Sequence, residues 1–418
     1  MAWAGWVTGS DDGASTWGIR DDGAVISCGS GVAVGFDLAR AAVIAASRAM
    51  EELNAPAVLA CVFVRAAEPD DVEAALAAAQ RTIGARHAVG CSSSFGVIGG
   101  GHGIEDVSAV SVFVASGDEL KVRSFHLEVM PRDDSIAVVG MPEVEPSDQI
   151  AIVLADAYSF PVEGFVESSH TSLRGLPVAG GIAVGGQGSG STRLLIDDRV
   201  VVRGAVGLVL GGDVAIEAVV SQGCRPVGNP MTVTKCESNV VLELAGRPAL
   251  QRLEDLLLSM SPDDQAIAAT GLQVGVMHDE YLDTHEQGDY LIRNVVRIDV
   301  DRGAIVIADD VQIGQTLSFQ LRDPMAASDD LHQMMSGLAD VTTRRRAAGA
   351  LLFSCNGRGE SFFHSSDHDA VTVREELGGA EVAGYFAAGE IGPVAGQNHL
   401  HGFSASVVVF AEAPGPAG

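Results

Sequence analysis

One pattern returns three times along this chain, and it restricts the fold more than any composition figure does. Each copy reads strand, helix, glycine-punctuated strand, then a strongly apolar strand. The first copy has Ala57 to Phe63 as a buried strand and a helix over Asp70 to Gln80, introduced by Pro69 and closed by Gly84. His87-Ala-Val-Gly-Cys-Ser-Ser-Ser-Phe-Gly and an apolar strand over Ser108 to Val114 complete it. The second copy runs through Ile150 to Asp156, a short helix near Val162 to Ser169, Pro177-Val-Ala-Gly-Gly-Ile-Ala-Val-Gly-Gly, and Gly204 to Leu210. The third runs through Ala348 to Cys355, a helix near Ala370 to Leu377, Val382-Ala-Gly-Tyr-Phe-Ala-Ala-Gly, and Gly402 to Phe410. A helix over Phe36 to Leu53 precedes the first copy, and one over Asp323 to Leu338 holds the same place before the third.

Between the second and third copies lies a different block. It has a strand over Val240 to Leu244, a helix over Pro248 to Met260, and strands between Asp289 and Leu321 turned at Asp301-Arg302-Gly303. The expected fold class is therefore α/β, with mixed sheets built from three related strand-helix-strand-strand units plus an inserted α+β block. The main boundary is expected near Gly228-Asn229-Pro230, dividing residues 1–230 from 231–418.

Glycine inside a strand gives up side-chain packing and widens backbone freedom, so repeated glycine there needs a reason. Either sheets pack tightly on one another, or the backbone borders a ligand cleft whose N–H groups hold an anion. The glycine strands are expected to converge and leave a hollow. No copy completes a dinucleotide or phosphate-loop motif. With 26 Lys and Arg against 55 Asp and Glu, the net charge of −29 repels phosphate backbones and anionic lipid, so nucleic-acid and membrane-surface partners are not expected. The opening Met-Ala-Trp-Ala-Gly-Trp shows no signal-peptide pattern, and no run of 18 apolar residues occurs, which reads as a cytoplasmic protein. The six cysteines form no C-x-x-C pair, and the acidic runs at 11–12, 21–22, 133–134 and 197–198 do not extend into calcium loops. No cofactor and no metal site is spelled out.

The segment richest in chemistry is Ser354-Cys355-Asn356-Gly357-Arg358-Gly359, at the carboxyl end of a strand, where open α/β sheets place ligands. Arg358 offers a planar fork of donors to a carboxylate, and Asn356 both donates and accepts. Downstream, Glu390 stands between glycines, and Asn398, His399 and His401 fall in one short strand, the two histidines on one face. A catalytic alternative pairs Cys355 or Cys91 with His401, or uses Glu390 with His401 as a hydrolase or acyl-transfer centre. A metal alternative draws on His364, His368, Asp369, His399 and His401 without a recognised ligand spacing.

At these residues the chain resembles the FIST family. The phrases are Leu351-Leu-Phe-Ser-Cys-Asn-Gly-Arg-Gly, Gly384-Tyr-Phe-Ala-Ala-Gly-Glu-Ile-Gly-Pro-Val and Leu400-His-Gly-Phe-Ser-Ala-Ser. Ser221-Gln-Gly-Cys-Arg-Pro-Val-Gly, Asp289-Tyr-Leu-Ile-Arg-Asn and Phe319-Gln-Leu-Arg-Asp also match, so the likeness spans roughly residues 35 to 412. The resemblance implies a sensory module of bacterial signalling proteins and eukaryotic F-box proteins that binds small molecules such as amino acids. It carries over Arg225, Arg293, Asn294, Arg322, Asp323, Asn356, Arg358, Glu390, Asn398 and His401 as the polar family positions. His399 stands where the family commonly has a bulky apolar residue, which speaks against a two-histidine metal centre. The expected ligand is an amino acid or small carboxylate in a cleft between units, held by Arg358, Asn356, Arg322 and Asn294 with Asn398, His401 and Glu390. The output is expected to pass to an unidentified signalling protein; a pure interaction scaffold is the remaining alternative.

Overall fold

The computed structural model describes residues 26–132, 135–278, 280, 287–342 and 346–412. The opening segment and the acidic pairs at 11–12, 21–22 and 133–134 lie outside them. The chain begins with β1 (Ile26–Val34), α1 (Leu38–Leu53), β2 (Leu59–Arg65), α2 (Pro69–Ile83), β3 (His87–Ser92), the hairpin β4 (Val97–Gly99) and β5 (His102–Ile104), and β6 (Ala109–Gly117). It continues through β7 (Leu120–Arg132), β8 (Ser135–Val139), β9 (Asp148–Asp156), α3 (Val162–Ser172), β10 (Val178–Ala183), the hairpin β11 (Leu194–Ile196) and β12 (Arg199–Val201), and β13 (Ala205–Gly212). Next come β14 (Ala215–Gln222), β15 (Cys224–Glu237), β16 (Val240–Leu244), β17 (Arg247–Pro248), α4 (Ala249–Ser259), α5 (Pro262–Thr270), β18 (Leu272–Met277), β19 (Tyr290–Asp299), β20 (Ala304–Ile307) and β21 (Thr316–Arg322). The last stretch holds α6 (Pro324–Thr342), β22 (Ala347–Cys355), α7 (Glu360–Phe363), α8 (His368–Glu376), β23 (Glu381–Ala387), the hairpin β24 (Glu390–Val394) and β25 (Gln397–His401), and β26 (Ser404–Ala411).

Four mixed or antiparallel sheets result, and three of them share one strand order. They read β1-β6-β2-β3-β11-β12, β8-β7-β13-β9-β10-β24-β25 and β14-β26-β22-β23-β4-β5. In each, one parallel pair (β2 with β3, β9 with β10, β22 with β23) is bridged by helix, while the remaining neighbours are antiparallel. The outermost hairpin always comes from another copy: the chain after β3 forms the hairpin that pairs with β23, the chain after β10 the one that pairs with β3, and the chain after β23 the one that pairs with β10.

The three crossings are hydrogen-bonded to one another. Ser94 N donates to Val184 O (2.6 Å), Ile182 N to Gly389 O (2.8 Å), and Phe386 N to Gly96 O (3.1 Å). The glycine strands do meet, but the hollow expected among them is corrected. The space where the three sheets face each other is filled by one apolar core in which Phe63, Phe353 and Tyr385 are fully buried, their ring centroids 5.2–6.4 Å apart. The glycines serve close packing. Gly90, Gly180 and Gly384 hold matching places opposite Val62, Val153 and Leu352, and a Cβ on any of them would run into the carbonyl oxygen of that partner. Gly384→Ala is therefore expected to destabilise by about 2–3 kcal/mol. Gly337→Ala, on a helical position with nothing within 4 Å of its added Cβ, should stabilise by about 0.5–1 kcal/mol. Urea unfolding of the two variants checks this; a neutral Gly384→Ala would refute the packing account.

Local chemistry also sets the helix ends. Asp37 caps α1, its Oδ1 accepting from Arg40 N at 3.0 Å, so the helix begins two residues later than Phe36 and leaves that ring exposed. Gly84 closes α2 in the left-handed region. The fourth sheet, β15-β21-β18-β19-β20-β16-β17, has its own core around Phe319, Val274 and Ile305. β15 runs through Gly228-Asn229-Pro230, with its pairing to β21 irregular between Val227 and Met231.

Candidate functional site

The opposite face of that fourth sheet carries Cys224, Gly275, Met277, Tyr290, Ile292, Ser318, Gln320 and Arg322, because these residues alternate with the core-facing ones. Cys224, Met277, Tyr290 and Ile292 pack with Cys355, Phe362 and Phe403, which belong to the carboxyl end of β22, to α7 and to the turn into β26. The seam between the two bodies thus lies where the Cys355-to-Gly359 turn ends its strand.

Arg358 is among the largest fully buried side chains of the described residues. Its Nε and Nη2 donate to Asp369 Oδ2 (2.8 Å) and Oδ1 (2.9 Å), a bidentate pair at the start of α8. Ser354 Oγ donates to the same carboxylate at 2.7 Å, and His368 Nδ1 lies 3.0 Å from it. The other nitrogen of His368 lies 3.0 Å from Ser328 Oγ on α6, and its ring stacks on Phe363 at 3.6 Å. Burial alone opposes charge on Asp369, but the Arg358 guanidinium and the His368 and Ser354 bonds outweigh it and hold the carboxyl well below the usual range. Nη1 of Arg358 has no hydrogen-bond partner among the described residues and lies beside Gly223, where a Cβ would stand 3.0 Å from it.

Arg322 is half-buried and has no carboxylate partner among the described residues. Its guanidinium sits 3.7 Å over the Phe403 ring, Nη2 donates to Gly357 O at 3.2 Å, and Nε is buried and unpartnered. Burial pushes its pKa down. Phe403 itself adopts φ 62°, the left-handed region that a bulky residue occupies only when its surroundings impose it. Gly223 and Gly357 make that possible, since a side chain on either would collide with the Phe403 ring.

Glu390 is fully buried, and its Oε2 accepts from Ser404 N (3.2 Å) and Oγ (2.8 Å). Burial, only partly offset by Ser404 and Arg358, pushes it up to about 8. Among the described residues its Oε1 has no nitrogen or oxygen donor, and the Cys355 thiol lies beside the carboxyl. The Cys355 thiol is pushed up to about 12, by burial first and by Glu390 second. His401 is pushed down to about 3 by burial and bonds Gly392 O at 3.1 Å through Nε2. Among the described residues no hydrogen bond joins Cys355 to His401; the thiol donates to Asn356 Oδ1 at 3.7 Å instead. Cys91 is fully buried and its thiol is likewise raised by burial.

The other sequence-derived positions fall elsewhere. Asn398 Oδ1 accepts from Val178 N (2.8 Å), while Nδ2 donates to Ser169 Oγ and Leu176 O (both 3.0 Å), strapping the β24–β25 hairpin to α3 and β10. Asn398→Ala should destabilise by about 1–3 kcal/mol, as read by urea unfolding, because the Val178 N–H loses its acceptor in a buried place. Asn294 is exposed on β19. Arg293 is bound to Asp309 Oδ2 (2.6 Å) and Leu400 O (3.1 Å), and Arg225 to Asp323 (2.7 Å) and Asp264. Asn356 sits at the site, its N–H bonded to Ala387 O at 2.8 Å. No cluster of three metal-ligating side chains occurs among the described residues. Sequence reasoning passed over Phe403 as the platform under Arg322, although it lies within the Leu400-His-Gly-Phe-Ser phrase. Asp369 was read there only as a metal ligand, never as the counter-ion of Arg358.

Two family models match this chain in succession: the FIST N domain over residues 58–247 and the FIST C domain over residues 249–393. The chain belongs to the FIST family. FIST domains are generally regarded as small-ligand sensory domains in signal transduction. An uncharacterized Mycobacterium tuberculosis protein is 41% identical over 386 residues, covering 92% of this chain and 99% of the relative. An uncharacterized Mycobacterium bovis protein is 42% identical over 386 residues, covering 92% and 98%. The residues around Arg358 and Glu390 fall inside the FIST C match, whereas Phe403 and Asn398 lie beyond its end. No helix among the described residues is long and apolar enough to cross a membrane.

Proposed function

We propose that this FIST protein is a cytoplasmic sensory module that binds a small carboxylate, such as that of an amino acid, at the seam between the fourth sheet and the end of β22. The observation that carries the reading is Arg322: a half-buried cation stacked on a ring, with an unspent Nε–H and no counter-ion. A buried charge without a partner is costly, and an anionic ligand removes that cost. Arg358 Nη1 supplies a second unspent donor, beside Gly223, which itself packs on Phe403. Asn356 and Glu390, largely protonated at neutral pH, add neutral polar groups beside them. Asn398 and His401 are already bonded to protein groups and act as scaffold in this reading, and Asn294 is exposed on β19. The donor atoms are covered, so the ligand enters by parting the seam.

Thermal unfolding against amino acids and small mono- and dicarboxylates tests the assignment. A binder present at 100 times its Kd adds about 2.7 kcal/mol to native stability and raises the midpoint accordingly. The shift should vanish in Arg322→Met, which keeps an apolar stem over Phe403. A panel without any shift, or a shift that survives Arg322→Met, overturns the site.

A further inference from the structure

The face of the fourth sheet that meets the seam buries one amide whose hydrogen bonds are unmade. Gln320 is 0% exposed, and neither Oε1 nor Nε2 has a hydrogen-bond partner among the described residues. It stands two residues before Arg322 on β21 and shares its face, so the two side chains leave the strand about 7 Å apart. The seam around this face is largely apolar, with Tyr290 and Ile292 packed on Phe362 and Phe403. The amide itself lies against Gly275 of β18, where a Cβ would stand 2.7 Å from Nε2 and 2.8 Å from Tyr290 Cβ. Only glycine at 275 lets the Gln320 side chain occupy that place.

Native interiors leave few such groups, and an amide with both halves idle forgoes a donated and an accepted hydrogen bond at once. A ligand that restores both must present an acceptor and a donor side by side. A second carboxylate offers acceptors only and sets an anionic oxygen against Oε1. An ammonium answers Oε1 alone and brings another cation toward Arg322. A primary carboxamide offers its C=O to Nε2 and its N–H to Oε1 in one plane, and it adds no charge. Arg322, the half-buried cation on the same strand, remains for the anionic end.

We propose that Gln320 is a specificity-determining residue of the seam, and that the ligand is a small carboxylate bearing a primary carboxamide a short carbon chain away. This rests on the Arg322 reading for the anionic end and adds the neutral end. Carboxylates that lack the amide leave Gln320 idle when they bind, and so bind more weakly.

Calorimetric titration of the full chain compares succinamate with levulinate, its isosteric methyl ketone, and glutaramate with its own methyl ketone. In at least one pair the amide should bind at least about tenfold more tightly than the ketone. In Gln320→Met the two should bind alike, at the native affinity for the ketone. The ligand-free thermal midpoint of that variant should be no lower than the native one, because the substitution keeps the side-chain length and removes an idle amide. Equal affinities in the native chain, or a preference that survives Gln320→Met, overturn the inference; if Arg322→Met still abolishes that binding, the anionic end stands without it. A ligand-free midpoint that falls in Gln320→Met shows an amide satisfied by ordered water only, and overturns the inference as well. If no member of either pair binds the native chain, the Arg322 reading fails and this inference fails with it.

Discussion

Arg358→Met should lower the stability of this protein by about 3–5 kcal/mol, because it strands the Asp369 carboxylate in a dry interior. The substitution keeps the volume of the stem, so lost packing contributes little. What remains is a carboxylate that is 3% exposed, held among the described residues by Ser354 and His368 once the guanidinium is gone. Removing the charge at the other end should recover much of the loss: Arg358→Met with Asp369→Asn is expected to be more stable than Arg358→Met alone. Denaturant unfolding of the four proteins forms the cycle. The pH dependence has a definite sign. In the native chain the Asp369 carboxyl is held below its unfolded value, so its contribution is present above about pH 4 and is lost as the pH falls further. In Arg358→Met the same carboxyl is desolvated without its guanidinium counter-ion, and its pKa rises. That variant should therefore recover stability on mild acidification where the native chain does not. A loss under about 1 kcal/mol, or a double variant no better than the single, would show that the pair is not an isolated buried ion pair.

The fold was legible because strand and helix periodicities are local properties. The apolar runs of β9, β22 and β26 and the capped α2 fall close to where spacing and Pro69 or Gly84 place them. The exchange of hairpins was not legible. β4, β11 and β24 are short strands, and nothing in Val97-Ile-Gly or Leu194-Leu-Ile says which sheet completes its pairing. The same limit governs the site. Arg358 and Glu390 stand out as charges among apolar and glycine residues, which a sequence shows. Whether a charge is already satisfied depends on partners brought in by topology. Asn398 is consumed by backbone groups some 220 positions away in the chain, and Arg358 by Asp369 eleven positions away. Arg322 emerges as the unspent cation only when Phe403 and Gly357 are seen to surround it without a carboxylate.

Replacing Glu390 with glutamine should change how stability varies between about pH 5 and pH 8. In the folded chain the carboxyl is raised to about 8, far above its unfolded value, so the native state holds a proton that the unfolded state releases. Its contribution is fully present below about pH 4.5 and is lost as the pH rises through about 8. A shift of that size corresponds to a loss on the order of 4 kcal/mol across the interval, levelling off above it. Two other groups act in the opposite sense. His399, pushed down to about 4, and His401, pushed down to about 3, each remove stability as the pH falls below about 6.5. Their effects appear in both proteins and cancel when the Glu390→Gln curve is subtracted from the native one. The difference should fall steadily toward pH 8 and then flatten; a level or rising difference would mean that Glu390 is ionised in the native state throughout. The same proton bears on the ligand. An anion held by Arg322 and Arg358 is easier to seat beside a neutral Glu390 than beside its carboxylate. Carboxylate binding should therefore weaken above about pH 8 in the native chain and hold level in Glu390→Gln.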